Sequence, residues 1–247
     1  MSESESQTLD LSDILTLLAK GEIELLGMLP WSSNYTLLSS ISFEGVQGLA
    51  VYKPRRGERP LWDFSEGTLC KREAAAYLLS SMLGWQLVPP TVLRDGPYGI
   101  GSLQLFIDAD HEAHLFTMQE EGVYEDQLRR LAAFDIVANN ADRKSGHCLK
   151  GTDGRLWAID HGICFHSEYK LRTVLWEFAG QPLPTEISKA LQDLSRRLER
   201  NDYDTRIFQS LLAADEFQAL QRRIERLLQR GHYPDPGGRR HMPWPPI

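Results

Sequence analysis

The sequence predicts an α+β fold in two lobes: an antiparallel sheet with one helix first, then a mainly helical half. Three observations carry this expectation. Short runs of alternating apolar and polar residues, broken by turn residues, fill the chain up to about residue 108. Two strongly apolar helical stretches cover 69–83 and 124–138. Beyond residue 184 the apolar residues recur at helical spacing with no strand pattern between them.

Leu11 to Lys20 reads as a short helix, because Leu11, Ile14, Leu15 and Leu18 share a face. Asp10 or Ser12 can start it and Gly21 can stop it. Strand patterns follow over 22–29, 35–43 and 47–52, with Glu44-Gly45 as the second turn. The first turn, Pro30-Trp31-Ser32-Ser33-Asn34, has small polar side chains that can cradle phosphates, and it equally fits an ordinary turn. Alternation along 48–53 sets Leu49, Val51 and Lys53 on one face, expected to look toward the core. A lysine there needs an anionic partner or must snorkel at the strand end.

The helix 69–83, stopped by Gly84, carries Glu73 between Leu69 and Tyr77. Its carboxylate calls for a cation, with Lys53 the natural candidate, or for solvent beside Lys71 and Arg72. Two more strands, 88–93 and 100–107, flank the turn Asp95-Gly96-Pro97-Tyr98-Gly99. The segment 108–114 contains His-Glu-Ala-His, one residue short of the zinc-protease spacing, and reads as a solvated loop.

The helix 124–138 is apolar nearly all round in its last turns and is expected at the centre of the second lobe. Asp135 sits inside that run, where a charge must be paired, and it is expected to brace the following loop through Arg143. After Asn139-Asn140 come Asp142-Arg143-Lys144, a strand-like pair over 147–150 and 156–159, and Asp160-His161-Gly162. Closing that hairpin brings Asp142 and Asp160 together. A phosphoryl-transfer site needs two such carboxylates, one to accept the proton of an attacking hydroxyl and one to hold a metal ion on ATP. Helical material is expected from Thr173 to Phe178, then amphipathic helices over 184–200, 204–213 and 215–230.

This order, with about five strands and one helix, a hairpin, then helices, is that of a protein-kinase-like bilobal fold. The stretches NNADRKSGHCL and AIDHGICF resemble the phosphoinositide 3/4-kinase-like superfamily, in particular type II phosphatidylinositol 4-kinases and small stand-alone bacterial members. VYKP, REAAAYLL, VPPT and GSLQLFI fit the same layout, so the resemblance spans roughly residues 25 to 180. It implies that Lys53 contacts ATP phosphates, that Glu73 is its helix partner and that Asp142 is the catalytic aspartate. Asp160 is then the metal-binding aspartate, with Gly162 giving the turn after it. Gln104, Leu105 and Phe106 would lie against adenine, with Ser32, Ser33 and Asn34 over the phosphates. The cofactors implied are ATP with Mg²⁺ or Mn²⁺. One departure stands out: His147 occupies the position of a usual asparagine metal ligand, and imidazole suits Mn²⁺ better than Mg²⁺.

The domain expectation is an acidic segment and short helix over 1–24, a first lobe over 25–108 and a second over 109–230. The second lobe holds the catalytic hairpin 139–165, and a flexible tail covers 231–247. The formal net charge of −7 disfavours nucleic acid as a general partner. No apolar run approaches the roughly 20 residues of a membrane span. Three cysteines without metal spacing and a polar, acidic N-terminus predict a cytoplasmic protein. The activity expected is phosphoryl transfer to a hydroxyl of an inositol-type polyol, a lipid headgroup or a protein. The rival expectations are a nucleotide-binding pseudokinase, a metal hydrolase and an AMP transferase.

Overall fold

A computed structural model of the chain describes residues 9–29, 34–110, 112–237 and 240–246. It divides into two compact units, Met1–Arg59 with Pro90–Phe106, and Pro60–Pro89 with Ile107–Ile247.

The first unit is a helix on a sheet. Helix α1 (Leu11–Lys20) starts where the Asp10 carboxylate accepts from Asp13 N at 2.8 Å. It stops where Arg94 Nη1 donates to the carbonyls of Leu18 and Gly21, both at 2.9 Å. Five strands follow: β1 (Glu22–Met28), β2 (Leu37–Phe43), β3 (Val46–Pro54), β4 (Thr91–Gly96) and β5 (Gly99–Leu105). All pairings are antiparallel, in the order β1-β2-β3-β5-β4. Glu44 and Gly45 both take left-handed φ values, 49° and 83°, which match the two-residue β2–β3 hairpin to the strand twist. Leu17 and Leu18 of α1 pack on Ile41, Ala50, Tyr52 and Leu103. Each of the large apolar side chains buried there is worth roughly 1.5–3 kcal/mol.

Lys53 shares a face with Leu49 and Val51 as its spacing requires, but that face is not the core. Ala50 and Tyr52 point into the core, while Leu49 is exposed and Val51 and Lys53 are half-buried. The alternation was right and its direction reversed, because α1 covers the other side. Opposite Lys53, β5 presents Ser102 and then Gly101. A Cβ on Gly101 would lie 2.6 Å from the Lys53 carbonyl oxygen, so only glycine lets the two strands approach there.

The second unit contains α2 (Leu69–Met82), α3 (Leu115–Glu121), α4 (Glu125–Ala138) and the hairpin β6 (Cys148–Lys150) with β7 (Leu156–Ala158). Helices α5 (Thr185–Arg200), α6 (Tyr203–Ser210) and α7 (Ala214–Arg230) complete it. The stripes Ile187, Leu191, Leu194, Leu198 and Phe217, Leu220, Ile224, Leu227 are all buried, and α5 packs on α7. The three cysteines are buried here too. Among the described residues no helix is long and apolar enough to cross a membrane.

Three expectations are corrected, and one helix is added. Helix α2 groups with the second unit, where buried Arg72 donates to the Cys164 carbonyl at 2.7 Å and pairs with Glu216 at 2.6 Å. Helix α3 follows directly on the segment 108–114 read as a loop, over residues to which no element was assigned: His114 Nδ1 accepts from Thr117 N, and Thr117 Oγ1 accepts from His114 N. Residues 173–178 form turns, with Thr173 bridged to Arg143, and no helix. The described part of the tail is tied down rather than loose. Tyr233 is buried and donates to the Arg129 carbonyl, the His241 carbonyl accepts from Thr173 N and Trp176 Nε1, and the Pro246 carbonyl accepts from Ser145 N.

Candidate active site

The site in the second unit is built outward from the end of α4. Asn139 closes that helix with a left-handed φ of 53°, a conformation asparagine tolerates. Its side chain donates to the carbonyls of His166 and Glu168 and accepts from Lys170 N. The loop after the helix is thereby fastened to the segment beyond the hairpin. Asn140 works in the other direction: its Nδ2 donates to Asp135 and its Oδ1 accepts from Asp142 N, both at 3.0 Å.

Asp135 does brace the loop through Arg143. The pair is completely buried at 3.0 Å, and Arg143 also donates to the carbonyls of His147 and Ile159 and to His161 Nε2. Burial lowers the Arg143 pKa most strongly, but the Asp135 charge and hydrogen bonds, with Cys148 and Cys164, together raise it. One guanidinium therefore ties together both strands of the hairpin and the Asp160-His161-Gly162 turn. Because His161 Nε2 accepts from it, the ring proton sits on Nδ1; the ring stacks edge-on against Phe134, and its role is structural.

The hairpin brings Asp142, Asp160 and His147 into one neighbourhood. Burial raises the Asp142 pKa first, Lys144 opposes that, and the Asp160 charge adds to it. Lys144 Nζ lies 3.5 Å from Asp142 Oδ2. His147 Nε2 lies 3.3 Å from Asp160 Oδ2, while its Nδ1 accepts from Lys144 N at 3.5 Å. This arrangement puts the imidazole proton on Nε2, facing the carboxylate. Asp160 itself takes a left-handed φ of 60°, and the turn expected at Gly162 follows over 162–163. Strain of this kind, held by surrounding bonds, is typical of working residues. The holder is Glu73, buried at 3% exposure, whose Oε2 accepts from His161 N at 3.0 Å. That contact was not visible in the sequence, because nothing in a helix period says which backbone amide a glutamate will meet.

The donor set fits a hard divalent ion in part. Among the described residues no group of three or more His, Cys, Asp or Glu side chains forms a metal cage. Asp160 offers a carboxylate donor, and His147 becomes a second only by giving up its Nε2 proton or the bond its Nδ1 accepts from Lys144 N; substrate phosphates and water would supply the rest.

Other expected site residues belong to the first unit. Ser32 and Ser33 lie outside the described residues. Asn34 Oδ1 accepts from Arg59 N at 2.8 Å, so it pins the end of its loop. Gln104 is buried with its Nε2 on Thr91 Oγ1 at 2.8 Å. The amides of Leu105 and Phe106 donate to the Pro90 and Leu49 carbonyls. These hydrogens are committed to the sheet, so a base lying against the three residues would meet their other atoms.

Comparison with known proteins sets this geometry in context. No family model matches the chain. It is 41% identical over 263 aligned positions to protein Rv2133c of Mycobacterium tuberculosis, covering 93% of this chain and 94% of that one. Over 141 positions it is 33% identical to phosphatidylinositol 4-kinase gamma 4 of Oryza sativa, which is 49% of this chain but 24% of the plant protein. Among solved structures it resembles hydra Fam20 determined with sugar (TM-score 0.58, 16% identity, 93% of this chain and 92% of that one). It also resembles the Helicobacter pylori proinflammatory kinase CtkA (TM-score 0.53, 13% identity, 87% and 94%). The fold is thus kinase-like.

Proposed function

The chain belongs to the family of the mycobacterial protein Rv2133c, and on that premise we propose that it is an ATP-dependent phosphotransferase of the phosphoinositide 3/4-kinase-like type. The observation that carries the reading is the Asp142–Asp160 pair at the two ends of a braced hairpin, in a kinase-like fold. The partial likeness to a plant phosphatidylinositol 4-kinase supports the finer assignment.

In this reading Asp142 orients an acceptor hydroxyl and takes its proton. Its raised pKa makes it a better base than an ordinary carboxylate. Asp160, with His147 beside it, would hold Mg²⁺ or Mn²⁺, which supplies charge neutralisation at the ATP phosphates. Lys53 offsets phosphate charge from the first unit, and Glu73 keeps the Asp160 turn in place. The acceptor class is a hydroxyl compound: an inositol-type polyol, a lipid headgroup or a protein side chain.

The test is titration calorimetry with ATP and each metal, together with product mass spectrometry. Asp142→Ala is expected to keep ATP binding and lose turnover by about 10²- to 10⁴-fold. Asp160→Ala is expected to lose metal-dependent ATP binding. Unchanged metal-dependent binding in the Asp160 variant would remove the assignment.

A further inference from the structure

Helix α7 carries arginines that the phosphotransfer site does not use. Arg223, Arg226 and Arg230 lie three and four residues apart, on one face, and line a cavity of about 270 Å³. Ile136, Tyr169, Leu227 and Pro234 provide its apolar wall. Among the described residues of the lining Asp235 is the one carboxylate, so these residues carry an excess of two positive charges. None of the three guanidinium groups makes an ion pair among the described residues.

Arg223 is the anchor. Its Nε donates to the Val137 carbonyl at 2.8 Å and its Nη1 to the His166 carbonyl at 3.1 Å. Its Nη2 is buried and meets no acceptor among the described residues. A desolvated guanidinium without a carboxylate is costly, and burial, with the Arg222 charge, brings its pKa down to about 10. An anion in the cavity would offset that cost through its charge, without reaching the buried Nη2.

We propose that this cavity is an anion site that takes the phosphate group of a phosphomonoester. Planar guanidinium forks, here those of Arg226 and Arg230, match the spacing of phosphate oxygens, and three arginines lining one cavity exceed what a carboxylate needs. The volume admits a phosphate with a small organic substituent against Tyr169 and Ile136. Two sources share this chemistry, a soluble phosphorylated metabolite and a phosphorylated lipid headgroup.

The experiment uses the full chain carrying Lys53→Met, so that the proposed nucleotide site is weakened in every arm. Inorganic phosphate and phenyl phosphate are titrated by calorimetry, and cosedimentation is measured with phosphatidylcholine vesicles with and without phosphatidic acid. Saturable binding of both soluble probes is expected. Arg226→Ala with Arg230→Ala, both at exposed positions, should weaken it by about tenfold per guanidinium removed. Cosedimentation competed by phenyl phosphate names a lipid headgroup as the source, and its absence beside soluble binding names a metabolite. No saturable binding of the soluble probes, or equal affinity in the double variant with its melting temperature unchanged, overturns the site.

Discussion

Replacing Arg143 by methionine tests whether the hairpin is held by one buried ion pair. The substitution removes three bonds to Asp135, the bonds to the His147 and Ile159 carbonyls and the contact with His161. Asp135 keeps only Asn140 Nδ2 and Thr173 Oγ1 among these partners, and it stays fully buried. Breaking a buried pair from one side costs about 3–5 kcal/mol, since the remaining charge is left uncompensated. At 2–4 °C per kcal/mol for a chain of this size, that is a fall of roughly 6–20 °C in melting temperature. Adding Asp135→Leu removes the stranded charge, so the double variant should recover at least about 1 kcal/mol relative to the sum of the singles. Thermal and urea unfolding followed by circular dichroism measure both quantities. A shift below about 3 °C for the single variant, or strict additivity in the double, would refute the view that this pair is the brace.

Other perturbations reach the site by different routes. His147→Asn replaces a nitrogen donor by an oxygen and should raise the ratio of Mg²⁺- to Mn²⁺-supported phosphotransfer; an unchanged ratio would separate His147 from the metal. The raised pKa of Asp142 means that its unfolded form ionises at a lower pH than its folded form, so stability is lost as pH rises from the unfolded pKa through the folded one. Asp142→Asn should therefore raise the melting temperature at neutral pH and not at pH 3, which differential scanning calorimetry at the two pH values will show. Lys144 lowers that pKa, so Lys144→Met should move the acid limb of the turnover profile upward. Ending the chain after Arg240 removes the carbonyls that serve Ser145, Thr173 and Trp176, and should cost about 1–3 kcal/mol in urea unfolding.

What could be read beforehand depended on how local the cause was. The strands were legible because residues 37–43 and 46–54 alternate, and two-residue periodicity is a property of the strand alone. Asp135 with Arg143 was legible because a charge inside an apolar run has to find its opposite nearby. The face of Lys53 was not, since periodicity pairs residues without saying which side a helix will cover. Helix α3 escaped because histidine is an uncommon cap and the seven residues show little period. Helix α2 is buried on most of its circumference, Ala74, Ala75 and Ala76 included, so its pattern does not say which unit it joins. The tail, rich in proline and glycine, looked loose because composition does not show that its backbone carbonyls are acceptors for other segments.

The bond from Ser145 to Pro246 couples the readiness of the reaction loop to the order in which the polypeptide is made. Translation delivers position 145 about a hundred residues before its acceptor, a separation that follows from the two numbers. During that interval the loop bearing Asp142 must wait without its final fastening. A ribosome-bound chain stalled before residue 241 should thus show the loop more open to proteases than the released protein does.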